Sequence, residues 1–215
     1  MLNHPSLDKE IASHIFQTIE TLKAEGHTVT EADFDLLDFI VPAYYVLTTA
    51  EASSNLSRYD GVRFGRRSEK PATDLTSFYL HNRSEGFGME VKRRIMLGTF
   101  VLSTGYYDAY YNKAQQVRKL LRDHMHMIFS NYEALLLPTS PSTAYRIGDK
   151  EKDPVAVYLA DIFTVLANLV GVPAVSIPLY KHSNGLPCSL QVMANKSDEL
   201  TLLQVAGELM QKAAV

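Results

Sequence analysis

Apolar residues recur at helical spacing over the first part of the chain. The stretch 7–25 predicts an amphipathic helix, with Ser6 placed to cap its start and Gly26 to end it. Its apolar positions are Leu7, Ile11, Ile15, Ile19 and Leu22. Residues 35–53 are apolar enough for a mostly buried helix, which we expect to be interrupted near Pro42.

The same periodicity predicts further helices, separated from residue 53 by polar, turn-rich sequence. They cover residues 90–104, 108–132 and 155–170, and a last helix follows near the C-terminus. We expect the helices 90–104 and 108–132 to pack on each other. Gly171 is placed to close the third helix, and Ser197 to cap the last one.

Short apolar runs bounded by proline, glycine or polar residues predict strands. These are residues 27–30, 134–138, 174–179 and 189–193, with a turn at 182–185. Four short strands with this much helix predict an α/β fold in which helices flank a short, incomplete mixed sheet. We find no repeat and no linker, so residues 1–215 are predicted to form a single partial domain.

Composition limits the classes of function. The chain is 46% apolar and 21% charged, as expected for a globular domain, and its net charge of −3 gives no overall attraction to nucleic acid or to an anionic membrane. Cys188 is the only cysteine, which excludes an intramolecular disulfide. No secretory leader or long apolar span is evident. We therefore expect a cytoplasmic protein.

Two stretches carry a resemblance to a known family. They are Glu51-Ala-Ser-Ser-Asn-Leu-Ser-Arg-Tyr-Asp-Gly-Val-Arg-Phe-Gly65 and the run from Gly86-Phe-Gly-Met-Glu-Val-Lys-Arg-Arg to Tyr111. Both resemble the A subunits of bacterial tRNA-dependent amidotransferases, within the amidase signature family. The likeness continues in order through Pro-Thr-Ser-Pro at 138–141, the segment 169–178 and the segment 185–192. It implies that the chain corresponds to the C-terminal portion of an amidase signature domain.

The family hydrolyses amides with a serine nucleophile, a second serine in a cis peptide and a lysine. Its Gly/Ser-rich loop brings backbone N–H groups to the oxyanion. None of the 11 glycines in this chain is adjacent to another, so the Gly-Gly-Ser-Ser-Gly-Gly type of loop has no counterpart here. Ser53 and Ser54 are interpreted as a helix-packing or capping pair. We therefore predict no catalytic residue in this chain and no activity of the chain alone.

The chain is expected to keep substrate recognition instead. Free glutamine has an α-carboxylate, which suits an arginine fork, and an α-ammonium, which suits a carboxylate. Arg94, Asp161 and Tyr44 suit these roles, and the resemblance implies the same positions: Arg94 for the carboxylate, Asp161 for the amino group and Tyr44 to shape the pocket. Arg93 and Tyr45 stay open as alternatives, because each is the neighbouring residue of the same type.

Other features favour structural roles. A basic and aromatic cluster is formed by Arg63, Arg66 and Arg67 with Phe64 and Tyr59. We interpret it as a solvated loop in preference to an RNA contact. His124 and His126 have i, i+2 spacing, which places them on different faces of a helix, so no metal site is predicted. We interpret the tyrosines at 106, 107, 110 and 111 as residues of helix packing, and a subunit interface is the second interpretation.

The resemblance implies a function for the parent protein: release of ammonia from glutamine to convert Glu-tRNA(Gln) or Asp-tRNA(Asn) to Gln-tRNA or Asn-tRNA. It implies B and C subunits as partners, ATP and Mg in the B subunit, no cofactor in this chain, and misacylated tRNA contacted through the complex. Two alternatives are a non-catalytic binding fragment, with a homodimer possible for the isolated chain, and another small-amide hydrolase of the family.

Overall fold

The computed structural model describes residues 2, 5–32, 34–148 and 161–212. The chain divides into two compact units, residues 1–41 with 117–215, and residues 42–116. The prediction of a single partial domain stays a prediction. No helix in the described ranges has the length and apolarity needed to cross a membrane.

The first unit begins with α1 (Lys9–Ala24), whose apolar stripe packs on the sheet. Asp8 caps this helix, because its carboxylate accepts hydrogen bonds from the N–H groups of Glu10 and Ile11. The prediction of Ser6 as the cap was therefore wrong by two positions. The prediction of Gly26 as the stop is confirmed by its φ of 97°, a left-handed conformation that favours glycine.

The sheet has three described strands in the order β1-β3-β2, and all of them pair antiparallel. The strands are β1 (Ala134–Pro138), β2 (Ala174–Lys181) and β3 (Pro187–Ala194). The predicted α/β class with a short sheet is confirmed, but the described pairs are antiparallel rather than mixed. The predicted strand at 27–30 does not form, and its Val29 packs instead against the core from a non-regular segment.

The core of the first unit lies between the sheet and two helices, α1 and the last helix, α7 (Glu199–Gln211). Its fully buried members come from all of these elements: Ile11, Ile15, Ile177, Leu190, Val192 and Leu209. Burial of such side chains provides the main stabilising free energy, at roughly 25 cal/mol per Å².

The first unit also contains a short helix before β2 and a capped start of α7. The helix α6 (Val165–Val170) ends at Gly171, which has φ 76° and ψ 46°, as predicted. The predicted start of this helix, 155–160, lies outside the described residues. The cap of α7 is Asp198, whose side chain accepts the N–H of Thr201, so the prediction of Ser197 was one residue early.

The second unit is helical and includes most of α2 (Leu37–Leu56), α3 (Leu75–Gly86) and α4 (Met89–Val101). The helix α2 continues through Pro42, so the predicted interruption does not occur. A π-helical turn (Tyr107–Asn112) leads into α5 (Lys113–Phe129), where one α-helix from Asp108 was predicted. Most of α5, from residue 117 onward, belongs to the first unit. The sequence prediction missed α3.

Candidate functional site

The contact between α2 and α4 fixes the position of the candidate glutamine-binding arginine. At Gly98 of α4, a Cβ atom would lie 1.9 Å from the carbonyl oxygen of Thr49 in α2, so only glycine permits this approach. One residue further, Thr99 Oγ1 lies 3.0 Å from Ser53 Oγ. The two helices therefore meet in a single defined register, and the packing interpretation of Ser53 is confirmed.

Arg94 lies one helical turn before Gly98, on the same side of α4. Its Nε donates to Glu90 Oε1 at 3.2 Å, and its guanidinium carbon lies 5.7 Å from the centre of the Tyr45 ring. The Nη groups make no hydrogen bond within the described part of the chain. They remain free to form a bidentate pair with a carboxylate.

Arg93, the alternative to Arg94, points further into solvent. Its side chain is 66% exposed, against 36% for Arg94, although both pair with Glu90. A partly desolvated arginine on an aromatic ring is the better candidate for binding an anion, since shielding from water strengthens the electrostatic attraction. This favours Arg94 over its neighbour.

Tyr44 and Tyr45 lie on α2, with ring centroids 5.4 Å apart and ring planes at 84°. Both residues are half-buried, and Tyr45 is the one that lies under Arg94. The structure therefore brings Arg94 into contact with Tyr45, the alternative tyrosine. Tyr44 packs against Tyr45 through the edge-to-face ring contact. The sequence prediction of Tyr44 stays a prediction.

Asp161 belongs to the other compact unit, at the start of the turn that leads into α6. It is exposed, and its backbone carbonyl accepts the N–H groups of Thr164 and Val165. Because Asp161 is exposed, its carboxylate avoids the desolvation cost that burial beside apolar neighbours would carry. The convergence of Tyr44, Arg94 and Asp161 stays a prediction.

The family model described as amidase matches residues 1–203. The chain belongs to the amidase family. The resemblance inferred from the sequence is therefore confirmed.

Curated proteins that match this chain include A subunits of glutamyl-tRNA(Gln) amidotransferases. The chain is 49% identical over 200 residues to the A subunit of glutamyl-tRNA(Gln) amidotransferase from Brevibacillus brevis, an alignment that covers 93% of this chain and 41% of that protein. The corresponding protein of Prosthecochloris aestuarii is also 49% identical, over 94% of this chain and 42% of its own length. The chain thus spans about 41% of the length of such relatives.

Solved structures agree on the fold of this amidase. The A subunit of glutamyl-tRNA(Gln) amidotransferase from Thermotoga maritima matches with a TM-score of 0.73 and 35% identity, over 99% of this chain and 41% of that one. A structure described as an amidase has the same TM-score of 0.73 at 22% identity, over 97% of this chain and 43% of that one. The second likeness concerns the fold alone. The predicted fold class, a portion of an amidase signature domain, is confirmed.

Arg83 is a structural residue of this amidase that sequence reasoning missed. Its Nη1 donates to the carbonyl oxygens of Leu56, Ser57 and Tyr59, at 3.2, 3.3 and 2.6 Å. These carbonyls lie at the end of α2 and just beyond it, where helix geometry leaves such groups without intrahelical partners. The signal for α3 was present, because Asp74 and Ser77 form a capping box.

The basic and aromatic loop of the amidase is largely solvated, as predicted. The Phe64 side chain is 88% exposed and Tyr59 is 58% exposed. Arg67 is an exception to the solvated reading, because it donates to Val62 O and lies over the ring of Phe78. These contacts give the loop a structural role.

A second group of polar residues was also missed. The His182 ring, at the turn between β2 and β3, lies 3.4 Å from Asp8 Oδ1 and 3.2 Å from Glu10 Oε2. Ser183 donates both its N–H and its hydroxyl to Glu10, each at 2.6 Å. This clasp joins the turn to the start of α1.

The clasp shifts the ionisation of its carboxylates. The Ser183 hydrogen bonds, with the nearby histidines, hold the pKa of Glu10 below its ordinary value. Partial burial opposes ionisation of Asp8, but the N–H groups of Ile11 and Glu10 and the His182 ring outweigh it and lower the pKa of Asp8. Burial instead raises the pKa of Tyr180 and of Cys188, so the single thiol is unsuited to act as a nucleophile.

One group of side chains has the spacing for a metal ion among the described residues. Glu25, His27 and Glu208 bring one ligand atom each within 4.8 Å of the others, and all three are exposed. Lys212 already contacts both carboxylates, so a cation of the protein itself offsets part of their charge. We read it as an ion network between the ends of α1 and α7. His124 and His126 do not form part of it.

Proposed function

We propose that this amidase is part of the glutamine-hydrolysing A subunit of a tRNA-dependent amidotransferase. The observation that carries the proposal is the 49% identity, over 93% of the chain, to the A subunit of a glutamyl-tRNA(Gln) amidotransferase. Fold likeness alone would fit any small-amide hydrolase, since amidases of low identity share it.

In this function the parent protein releases ammonia from glutamine, and the ammonia converts Glu-tRNA(Gln) or Asp-tRNA(Asn) to the correct aminoacyl-tRNA. It acts in the cytoplasm with a B subunit, which supplies the ATP and Mg chemistry, and with a C subunit. Misacylated tRNA is reached through the complex.

The contribution of this chain is recognition of glutamine. The Nη groups of Arg94 make no hydrogen bond in the described part of the chain, which supports their pairing with the α-carboxylate of glutamine. Asp161 would hold the ammonium group, and Tyr44 or Tyr45 would shape the pocket. A neutral amide substrate requires neither charge, so this pair favours glutamine over other small amides.

The test is Arg94→Ala in the intact subunit within its complex. In glutamine-dependent transfer, the variant should lose about 2–5 kcal/mol of the free energy with which glutamine is bound, as when one partner of a desolvated charge pair is removed. Transfer from added ammonia should stay nearly unchanged. Kinetics with glutamine and with ammonium chloride as alternative donors measure both activities.

Arg93→Ala is the matched control, because Arg93 pairs with the same glutamate from the next position on the helix. It should leave both activities close to wild type. Loss of glutamine use in Arg93→Ala rather than Arg94→Ala would move the assignment to Arg93. An equal loss of both activities in Arg94→Ala would make Arg94 a structural residue.

For the 215-residue chain alone, we propose binding without catalysis. The observation behind this is the absence from its sequence of adjacent glycines, which the family's catalytic loop contains. Purified chain should release no ammonia from glutamine in a coupled assay. Ammonia release that persists through purification would overturn the proposal.

A further inference from the structure

A cleft of about 440 Å³ lies within the first unit. Its apolar floor is formed by α5, the last residue of α6 and the segment after it. The floor residues are Met125, Phe129, Val170 and Val172. A cleft of this size, with an apolar floor, falls in the range of small-molecule sites.

The rim of the cleft is cationic. Lys119 and Arg122 lie one helical turn apart on α5, and Lys196, which follows β3, also lines the cleft. None of the three has an ion-pair partner within the described ranges. Asp123 is the one acidic side chain among the lining residues, so the rim is positive although the chain carries a net charge of −3.

A hydrogen bond joins two of the elements that line the cleft. Arg118 Nε donates to the carbonyl oxygen of Leu169 at 2.7 Å, which connects α5 to α6. The backbone that carries Lys119 and Arg122 is therefore held against the apolar floor, which lowers the entropic cost of binding a ligand.

We propose that this cleft binds a phosphate-bearing ligand. The phosphate lies between Arg122, Lys119 and Lys196, and the rest of the ligand lies over the apolar floor. Guanidinium and ammonium groups without intramolecular partners are the side chains that bind phosphate most strongly, and arginine does so with two parallel hydrogen bonds. The phosphate comes either from a free nucleotide or from the backbone of an RNA. This proposal does not depend on glutamine hydrolysis.

The test is equilibrium binding to the purified 215-residue chain at physiological ionic strength. Pyrophosphate and ATP are titrated by calorimetry, and a short fluorescein-labelled single-stranded RNA by anisotropy. We expect saturable binding of at least one probe, weakened by added salt because the contacts are charged. ATP that binds alone identifies a free nucleotide as the source. RNA that binds alone, or that pyrophosphate displaces, identifies the RNA backbone.

Charge variants test the location. Arg122→Ala should weaken binding at least about 10-fold, because it removes the charge-assisted hydrogen bonds of the guanidinium. Asp123→Asn should strengthen binding, because it removes the negative charge from the rim. Lys113→Ala is the matched control, an exposed lysine of the same helix that does not line the cleft, and it should change nothing.

All of these positions are exposed, so the fold is expected to be kept, and circular dichroism checks it. The proposal is overturned if no probe binds saturably. It is equally overturned if Arg122→Ala binds like wild type, or if Lys113→Ala loses as much affinity as Arg122→Ala. Weaker binding by Asp123→Asn would also contradict it.

Discussion

The two compact units of this chain differ in the contacts that stabilise each of them internally. The first unit buries large aliphatic and aromatic side chains between a sheet and two helices, with Phe163, Leu190 and Val192 fully inaccessible to solvent. In the second unit the buried apolar residues are small: Ala43, Ala50, Val101 and Ala114. The arrangement of its helices depends on the close contact of Gly98 in α4 with α2 and on the hydrogen bonds from Arg83 to three carbonyl oxygens.

This difference indicates how each unit tolerates change. A core of large side chains gains stability in proportion to buried area, so it loses stability wherever volume is removed. A unit held by one close backbone approach is sensitive where volume is added. The second unit also leaves large apolar side chains exposed on α4, among them Met89 and Met96 at 73% each.

The largest effect is expected in the core of the first unit. Leu190→Ala removes a fully buried side chain of the central strand and should lower the free energy of unfolding by about 3 kcal/mol. Leu200→Ala is the control, since that leucine of α7 is 70% exposed, and it should stay within about 0.5 kcal/mol of wild type. Urea denaturation measures both. Equal losses would contradict the assignment of the core.

A smaller effect is expected from Gly98→Ala in the second unit. The added Cβ meets the Thr49 carbonyl, which cannot rotate away, so α4 must shift at a cost of about 2 kcal/mol. Gly207→Ala in α7 is the matched control, because no atom lies within 4 Å of its added Cβ. It should be neutral or stabilising by about 0.5–1 kcal/mol, as alanine favours helix. If both variants behave alike, the close approach of α2 and α4 is wrong.

The smallest effect concerns acidity and the clasp at the start of α1. The pKa of Glu10 is lowered in the folded state, so its contribution is present at neutral pH and is lost as the pH falls below the ordinary value of 4.5. Glu10→Gln should therefore flatten the decline of stability with acid over that range. Thermal unfolding from pH 6 to pH 3 measures this. Glu31→Gln, at an exposed glutamate without a described contact, should follow the wild-type curve, and a flattening there would argue against the clasp.

The elements that could be predicted from the sequence are those that depend on a pattern of neighbouring residues. The periodicity of α1, the apolar run of β1 and the Gly171 stop are confirmed because each depends on neighbouring residues. Caps are less certain, because Ser6 and Asp8 are both able to cap and the choice depends on where the chain enters the helix. Pro42 lies in the second turn of α2, where it removes one intrahelical hydrogen bond, and the helix nevertheless continues through it, so this local penalty alone does not predict a break.

Contacts between distant segments were not predictable from one sequence. The bonds from Arg83 to carbonyls near residue 57, and from His182 to residues at the start of α1, join positions far apart in the chain. Lys119 and Lys196 form one rim only after folding. The prediction that Arg94 binds glutamine rests on its chemistry and on family resemblance, and the structure adds the contact of Arg94 with the Tyr45 ring.

The proline that ends β1 limits how this sheet can grow. Thr139 donates its N–H to Ser189 of β3, and because N–H groups alternate in direction along a strand, the nitrogen of Pro138 points to the opposite, outer edge. That nitrogen carries no hydrogen, so a further strand added along β1 finds no donor at this position. A single proline thus disfavours aggregation by edge-to-edge strand pairing along β1.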